Sequence, residues 1–241
     1  MKNSLVGSDN YFNISNYFNQ MSRGAYTVIG DVVHIELPSK STFTDDGTPT
    51  GTPLKGLALM KATNKYALEY LDNNIQIDLS DYDNFDYVSN NHHDQVSDNI
   101  LDMVYMVYRT PGLQHFARKD TPGFEYDSFG GIAQLGKSYS GQEALPSGLV
   151  IDYGPFSNGS GLTMHLGENR KKRFDDSYIH ELAHYLMGGN HPYTNGGYTS
   201  SVGRSGYWGI FGGNQATNSV NAYEQELLGW ITPTELTSTI S

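Results

Sequence analysis

Residues 179–191 read Ile-His-Glu-Leu-Ala-His-Tyr-Leu-Met-Gly-Gly-Asn-His, and they decide how the rest of the chain is interpreted. The stretch contains the pattern H-E-x-x-H, in which two histidines are four residues apart. On a helix such residues project from the same face, so both imidazoles can reach one metal ion at about 2.0–2.1 Å. Glu181 lies one step round the helix, within reach of a water molecule on the metal. The pattern therefore predicts a zinc site formed by His180 and His184, with Glu181 as the general base.

The residues around this motif favour a helix. Residues 175–177 are Asp-Asp-Ser, which are good N-cap residues and place negative charge at the positive end of the helix dipole. Gly188 and Gly189 are typical of a helix end. Apolar residues recur at positions i, i+3, i+4 and i+7, and these are Ile179, Leu182, Ala183 and Leu186. We therefore expect a helix with a buried apolar stripe and the two histidines beside it.

A stable zinc site needs a third protein ligand, with one position left for water. His191 lies seven residues after His184, beyond the paired glycines, where a returning chain can bring it to the ion. In the metzincin pattern H-E-x-x-H-x-x-G-x-x-H the third histidine comes one residue earlier. Glu224 and Glu226, on a later predicted helix, are the alternatives, so the third ligand stays open at this point.

The composition of the 241 residues excludes several classes of protein. The chain has no cysteine, which excludes disulfide scaffolds, thiol catalysis and Cys-ligated zinc. Its net charge of −11 argues against nucleic-acid binding through phosphates, and no stretch approaches the ~18 apolar residues of a membrane span. No signal peptide is visible in the first eight residues, but the lysine-poor surface rich in Asn, Ser, Thr, Gly and Tyr is typical of bacterial secreted proteins.

Periodicity and turn residues predict the other elements. They are a helix at 15–22, a hairpin of Tyr26–Ile29 and Val32–Leu37, a helix at Lys55–Leu71, strands at Leu101–Tyr108 and Leu149–Tyr153, and a helix at 219–228 capped by Gly229.

Residues 72–102 hold eight aspartates and neither Lys nor Arg. Clustered carboxylates are the ligands that calcium prefers, although the stretch lacks the D-x-D-x-D-G spacing of a known calcium loop. A solvated acidic surface is the alternative interpretation. The calcium candidates are Asp81, Asp83, Asp86 and Asp98.

Two later segments carry a family resemblance. Residues 203–213 read G-R-S-G-Y-W-G-I-F-G-G, and residues 222–230 read A-Y-E-Q-E-L-L-G-W. Together with the helix at 179–186, they resemble the immune inhibitor A family of secreted bacterial metallopeptidases, the M6-like peptidases. In that family a W-x-x-M-x-G turn and a helix ending in L-G-W follow the zinc motif.

The upstream part of the chain, at 15–24 and 78–102, resembles this family more loosely. Two features depart from the family pattern. Residues 186–191 read L-M-G-G-N-H where L-G-L-P-D is usual, and this difference bears on the identity of the third zinc ligand. Phe211 stands in place of the methionine of the turn.

The resemblance implies a single α+β catalytic domain over residues 1–241, with a metzincin-like zincin fold. An upper lobe of about 1–188 would hold a twisted mixed sheet and the active-site helix. A lower lobe of about 189–241 would consist of irregular loops and end in a helix.

The implied function is a zinc-dependent endopeptidase, secreted or at the cell surface, that acts on extracellular protein substrates. We expect the chain to be monomeric. The candidate donors to the oxyanion, chosen for their closeness to the motif in sequence, are Tyr193, Tyr198 and Tyr207. One alternative is a catalytically impaired zincin-fold binding module of a larger secreted or surface protein. Another is hydrolysis of a non-peptide amide or ester.

Overall fold

A computed structural model describes residues 14–45, 47–48, 50–54, 56–74, 77–89, 92–108, 131–136, 141–154, 159–165, 179–186 and 220–234. Within these residues the protein is a mixed α+β structure, which confirms the predicted class. Its helices and strands, in chain order, are α1 (Ile14–Met21), α2 (Gly56–Asn74), β1 (Asp86–Ser89), β2 (His92–Asp94), β3 (Val104–Tyr108), β4 (Gly131–Ile132), β5 (Gln142–Ala144), β6 (Val150–Asp152), β7 (Gly161–His165), α3 (179–186) and α4 (Ala222–Leu227).

The chain divides into two compact units. One unit comprises Met1–Val33 with Asn190–Ser241, and the other comprises His34–Gly189. The N-terminal segment groups with the C-terminal segment and not with the unit that contains α3. The expected lobes of about 1–188 and about 189–241 stay a prediction.

In the first unit, α1 confirms the helix predicted at 15–22. Phe18 is fully buried, and its ring packs edge-on against Tyr26 and Trp230, with centroid distances of 5.8 and 6.2 Å. Helix α4 begins at a capping box of Asn221 and Glu224. It ends before Gly229, whose φ of +68° suits the predicted glycine cap. Aromatic packing of α1 against the residue that follows this cap thus forms the core of the unit.

The hairpin predicted for Tyr26–Ile29 and Val32–Leu37 is wrong. Residues 25–39 are all described, and none of them is in a strand. The Ser22 hydroxyl accepts a hydrogen bond from the Tyr26 N–H at 2.8 Å, and the Tyr26 ring stacks on Trp230 at 6.0 Å. Ile29 is 81% exposed, and the other apolar β-branched residues, Val28, Val32, Val33 and Ile35, are only half-buried. These contacts therefore outweigh the local preference for strand, which depends on packing against neighbours.

The second unit is built around a three-stranded mixed sheet. Strand β3 pairs in parallel with β7, and β4 pairs antiparallel with β7, in the order β3-β7-β4. Two further antiparallel pairs, β1 with β2 and β5 with β6, complete the described strands. Gly161 begins β7 opposite Val104, and a Cβ atom at this glycine would collide with the Val104 carbonyl oxygen. Glycine is therefore required for β3 and β7 to pair at this point.

Helix α2 confirms the helix predicted at Lys55–Leu71 and extends it to Asn74. It packs on the sheet through an apolar core and a buried polar network. The core cluster contains Leu68, Leu79, Leu101, Leu135, Leu145, Leu149, Ile151 and Tyr153. In the network, the Asn64 amide donates to the Leu135 carbonyl at 2.7 Å and to the Thr163 hydroxyl at 3.0 Å. The Tyr108 hydroxyl donates to the amide oxygen of the same asparagine. One side chain thus ties α2 to β3, to β7 and to the segment after β4.

We expect Asn64→Leu to lower the free energy of unfolding by about 2–4 kcal/mol. The substitution conserves volume but leaves buried polar partners of Asn64 without their hydrogen bonds, each at a cost of about 1–3 kcal/mol. Asn73→Leu is the matched control, because Asn73 lies exposed on the same helix and bonds only the Glu69 carbonyl among the contacts seen. Urea denaturation measures both variants. Equal stability of the two would mean that the network does not hold α2 to the sheet.

Candidate functional site

Helix α3 carries the H-E-x-x-H motif, and the structure confirms that residues 179–186 are helical. Three residues of the predicted stripe, Ile179, Leu182 and Ala183, are fully buried. The expected capping residues at 175–177 and the glycine pair at 188–189 lie outside the described residues. The apolar stripe therefore seats the helix in the second unit as periodicity predicts.

The two histidines of the motif lie together on α3. Their ring centroids are 4.8 Å apart and the ring planes are nearly perpendicular, at 88°. Both side chains are buried, with 9% of His180 and 3% of His184 exposed. Buried imidazoles of this kind are held in fixed orientations, which is what a pair of ligands to one ion requires.

These rings fit a shared zinc ion. Two imidazoles that bind one zinc through nitrogens at about 2.0–2.1 Å, in a near-tetrahedral arrangement, have ring centres about 5 Å apart. The separation of 4.8 Å between His180 and His184 agrees with this value. The pair is therefore suited to supply two of the ligands of a zinc site.

Glu181 lies between the histidines in sequence and faces the end of β4. Burial raises the pKa of Glu181 to about 8, and the backbone N–H of Ala133, which directly follows β4, opposes this rise. A divalent cation beside the carboxyl group would also favour its ionised form.

Asp102 and Tyr185 form a contact between α3 and the segment that precedes β3, which the sequence interpretation missed. The Tyr185 hydroxyl donates to Oδ1 of Asp102 at 3.4 Å. Oδ2 of Asp102 accepts the backbone N–H groups of Asn84 and Phe85. Burial raises the pKa of Asp102 to about 6, and these amide bonds act against the rise. A signal was present, because Asp102 is a carboxylate inside the apolar run of residues 101–108.

The third ligand stays a prediction. His191 lies outside the described residues. Among those described, no group of three or more His, Asp or Glu side chains is arranged to hold a metal ion. Of the two alternatives, Glu224 is buried and accepts the N–H of Asn221 at 2.9 Å in its capping box. Glu226 is exposed on α4. Glu224 therefore has a structural role that accounts for its presence.

The expected oxyanion donors also lie outside the described residues, so their role stays a prediction. These residues are Tyr193, Tyr198 and Tyr207.

The aspartate-rich stretch contains carboxylates that hold loop backbone. Asp83 is buried and accepts the Ser97 hydroxyl at 2.6 Å and the N–H groups of Asp98 and Asn99 at 2.9 and 3.0 Å. Asp98 accepts the Ile100 N–H at 2.8 Å. These bonds assign Asp83 and Asp98 a structural function in the described loop.

The other two calcium candidates are placed differently. Asp81 is exposed in the 3₁₀ turn Leu79–Tyr82, and Asp86 is half-buried at the start of β1. Calcium at this stretch remains a prediction. If calcium binds here, we expect millimolar calcium to raise the melting temperature of the protein and EDTA to reverse the rise. An unchanged melting temperature would contradict the prediction.

Within the described part of the chain, no helix is long and apolar enough to cross a membrane. Comparisons with models of protein families, with curated proteins and with solved structures found no match to this chain.

Proposed function

We propose that this chain is a zinc-dependent endopeptidase with a zincin-type active site. The observation that carries the proposal is the pair of buried imidazoles, His180 and His184, at a ring separation of 4.8 Å on one helix, with Glu181 beside them. The resemblance of residues 175–231 to the M6-like peptidases supports the same function. With the composition, it also supports action on extracellular protein.

Zinc held by His180, His184 and the predicted third ligand His191 would lower the pKa of a coordinated water and polarise a substrate carbonyl. Glu181 takes the proton of the attacking water and delivers it to the leaving amine. The backbone N–H of Ala133 favours the ionised form of Glu181 that this role needs. The predicted tyrosine donors would stabilise the oxyanion that forms at the carbonyl.

Strand β4 supports a peptide as the substrate. Within the described residues, β4 pairs with β7 on one side only. An extended peptide can add to such an edge through backbone hydrogen bonds. Because Ala133, directly after β4, is near enough to Glu181 to lower its pKa, a peptide paired with β4 would pass near the general base.

The proposal is tested by elemental analysis and proteolysis of the purified protein. We expect about one zinc per chain, cleavage of casein or gelatin, loss of cleavage with a chelator and recovery when zinc is restored. The restoration step separates loss of metal from direct inhibition by the chelator.

Two results would contradict this function. Absence of zinc would remove the metal site altogether. Bound zinc without protein cleavage would favour the binding module, unless the protein hydrolyses small amide or ester substrates in a chelator-sensitive way.

A further inference from the structure

Helix α3 contacts the segment before β3 through Tyr185, whose hydroxyl donates to Asp102 at 3.4 Å. Glu181 is four residues earlier, so its side chain lies on the same side of the helix. Glu181 is close enough to the backbone N–H of Ala133 for that group to lower its pKa. The bond of Tyr185 to Asp102 restricts the rotation of the helix about its axis.

Asp102 is itself held in place from several directions. Its backbone N–H donates to the Tyr82 carbonyl at 2.9 Å. Its Oδ2 accepts the N–H groups of Asn84 and Phe85, the second at 3.1 Å. It also lies two residues before β3, the strand that pairs in parallel with β7. The acceptor offered to Tyr185 is therefore held by backbone groups of residues 82–85 and lies two residues before the sheet begins.

The rotation of α3 matters because its histidines are metal-ligand candidates. A side-chain atom about 6 Å from a helix axis moves by about 1 Å when the helix rotates by about 10°. Metal–ligand distances tolerate only about ±0.2 Å. A small rotation of α3 moves His180 and His184 together, so it would displace both by about 1 Å relative to a zinc ligand that another segment supplies.

We propose that Asp102 and Tyr185 are positioning residues that fix the rotation of α3 and so hold His180 and His184 in place relative to a zinc ligand from another segment. The inference rests on the proposed zinc site. The hydrogen-bonded pair acts through the helix.

The experiment compares zinc affinity with the stability of the metal-free protein. Tyr185→Phe removes only the hydroxyl group. We expect it to weaken zinc binding about 10-fold or more, as loss of an orienting hydrogen bond near a metal site does. Competition with a chromogenic chelator measures the affinity, and thermal unfolding in EDTA measures the stability of the metal-free protein. Tyr70→Phe is the matched control, because Tyr70 is exposed on α2. It should bind zinc like the unaltered protein.

Asp102→Asn completes the test by a double-mutant cycle. If the two residues act as a pair, the double variant binds zinc no more weakly than the weaker single variant. Additive losses overturn the pairing, as does wild-type affinity in Tyr185→Phe. If the metal-free protein loses as much free energy of unfolding as the protein loses in free energy of zinc binding, the pair has a merely structural role. That result would overturn the proposal too. If the unaltered protein binds no zinc, the proposed function itself fails, and this outcome is distinct from the others.

Discussion

Glu181→Gln should abolish peptide hydrolysis while leaving zinc bound. The amide of glutamine has nearly the size of the carboxyl group but cannot take a proton from the attacking water. General-base catalysis contributes about 10²–10⁴-fold to rates, so we expect a fall in kcat of at least this size. Zinc content should not change, because the ligands expected on α3 are the two histidines. Casein cleavage and elemental analysis of the same sample measure both quantities.

Glu36→Gln is the control for this variant. Glu36 is exposed in the segment after α1, and the substitution makes the same chemical change outside the site. It should retain full activity. Full activity in Glu181→Gln would remove Glu181 from the mechanism. Loss of zinc together with activity would instead show that the carboxylate is needed to hold the metal.

His184→Ala should remove both zinc and activity. His184 is the more deeply buried of the two imidazoles, and its ring lies 4.8 Å from that of His180. Without it, α3 supplies a single ligand, and we expect zinc affinity to fall at least about 100-fold. Competition with a chelator measures the loss.

The deletion of a buried side chain also leaves a cavity, so unfolding of the metal-free variant must be measured separately. His34→Ala is the matched control, since His34 is exposed and lies far from the motif in sequence. Wild-type zinc affinity in His184→Ala would mean that the ion binds elsewhere. In that case the family resemblance would be the only remaining support for an enzyme.

Helices were the part of the fold that could be predicted from sequence. The helices predicted at 15–22, Lys55–Leu71 and 219–228 are present as α1, α2 and α4, with ends shifted by a few residues. Their signals are local, because apolar spacing and capping residues act within a few turns. The capping box at Asn221 and the positive φ of Gly229 are examples of such local control.

Strands were predicted less well, because their stability depends on partners distant in the chain. The residues of β3 and β6 were expected to be extended, and they are. Strand β7 was missed because its five residues directly follow a glycine-rich loop, although Leu162 and Met164 alternate with polar residues. The segment at 26–37 has the composition of a hairpin, yet it packs through Tyr26 against an aromatic residue near the C-terminus.

By itself, the sequence determined the pairing of His180 with His184, because one helical turn places residues four apart on the same face. Only the tertiary structure decided how α3 is oriented within its unit. The contacts of Glu181 with Ala133 and of Tyr185 with Asp102 join segments far apart in the chain, and no local pattern specifies them. Such contacts depend on the burial of the apolar stripe of α3 and on the sheet, which together place those segments beside the helix.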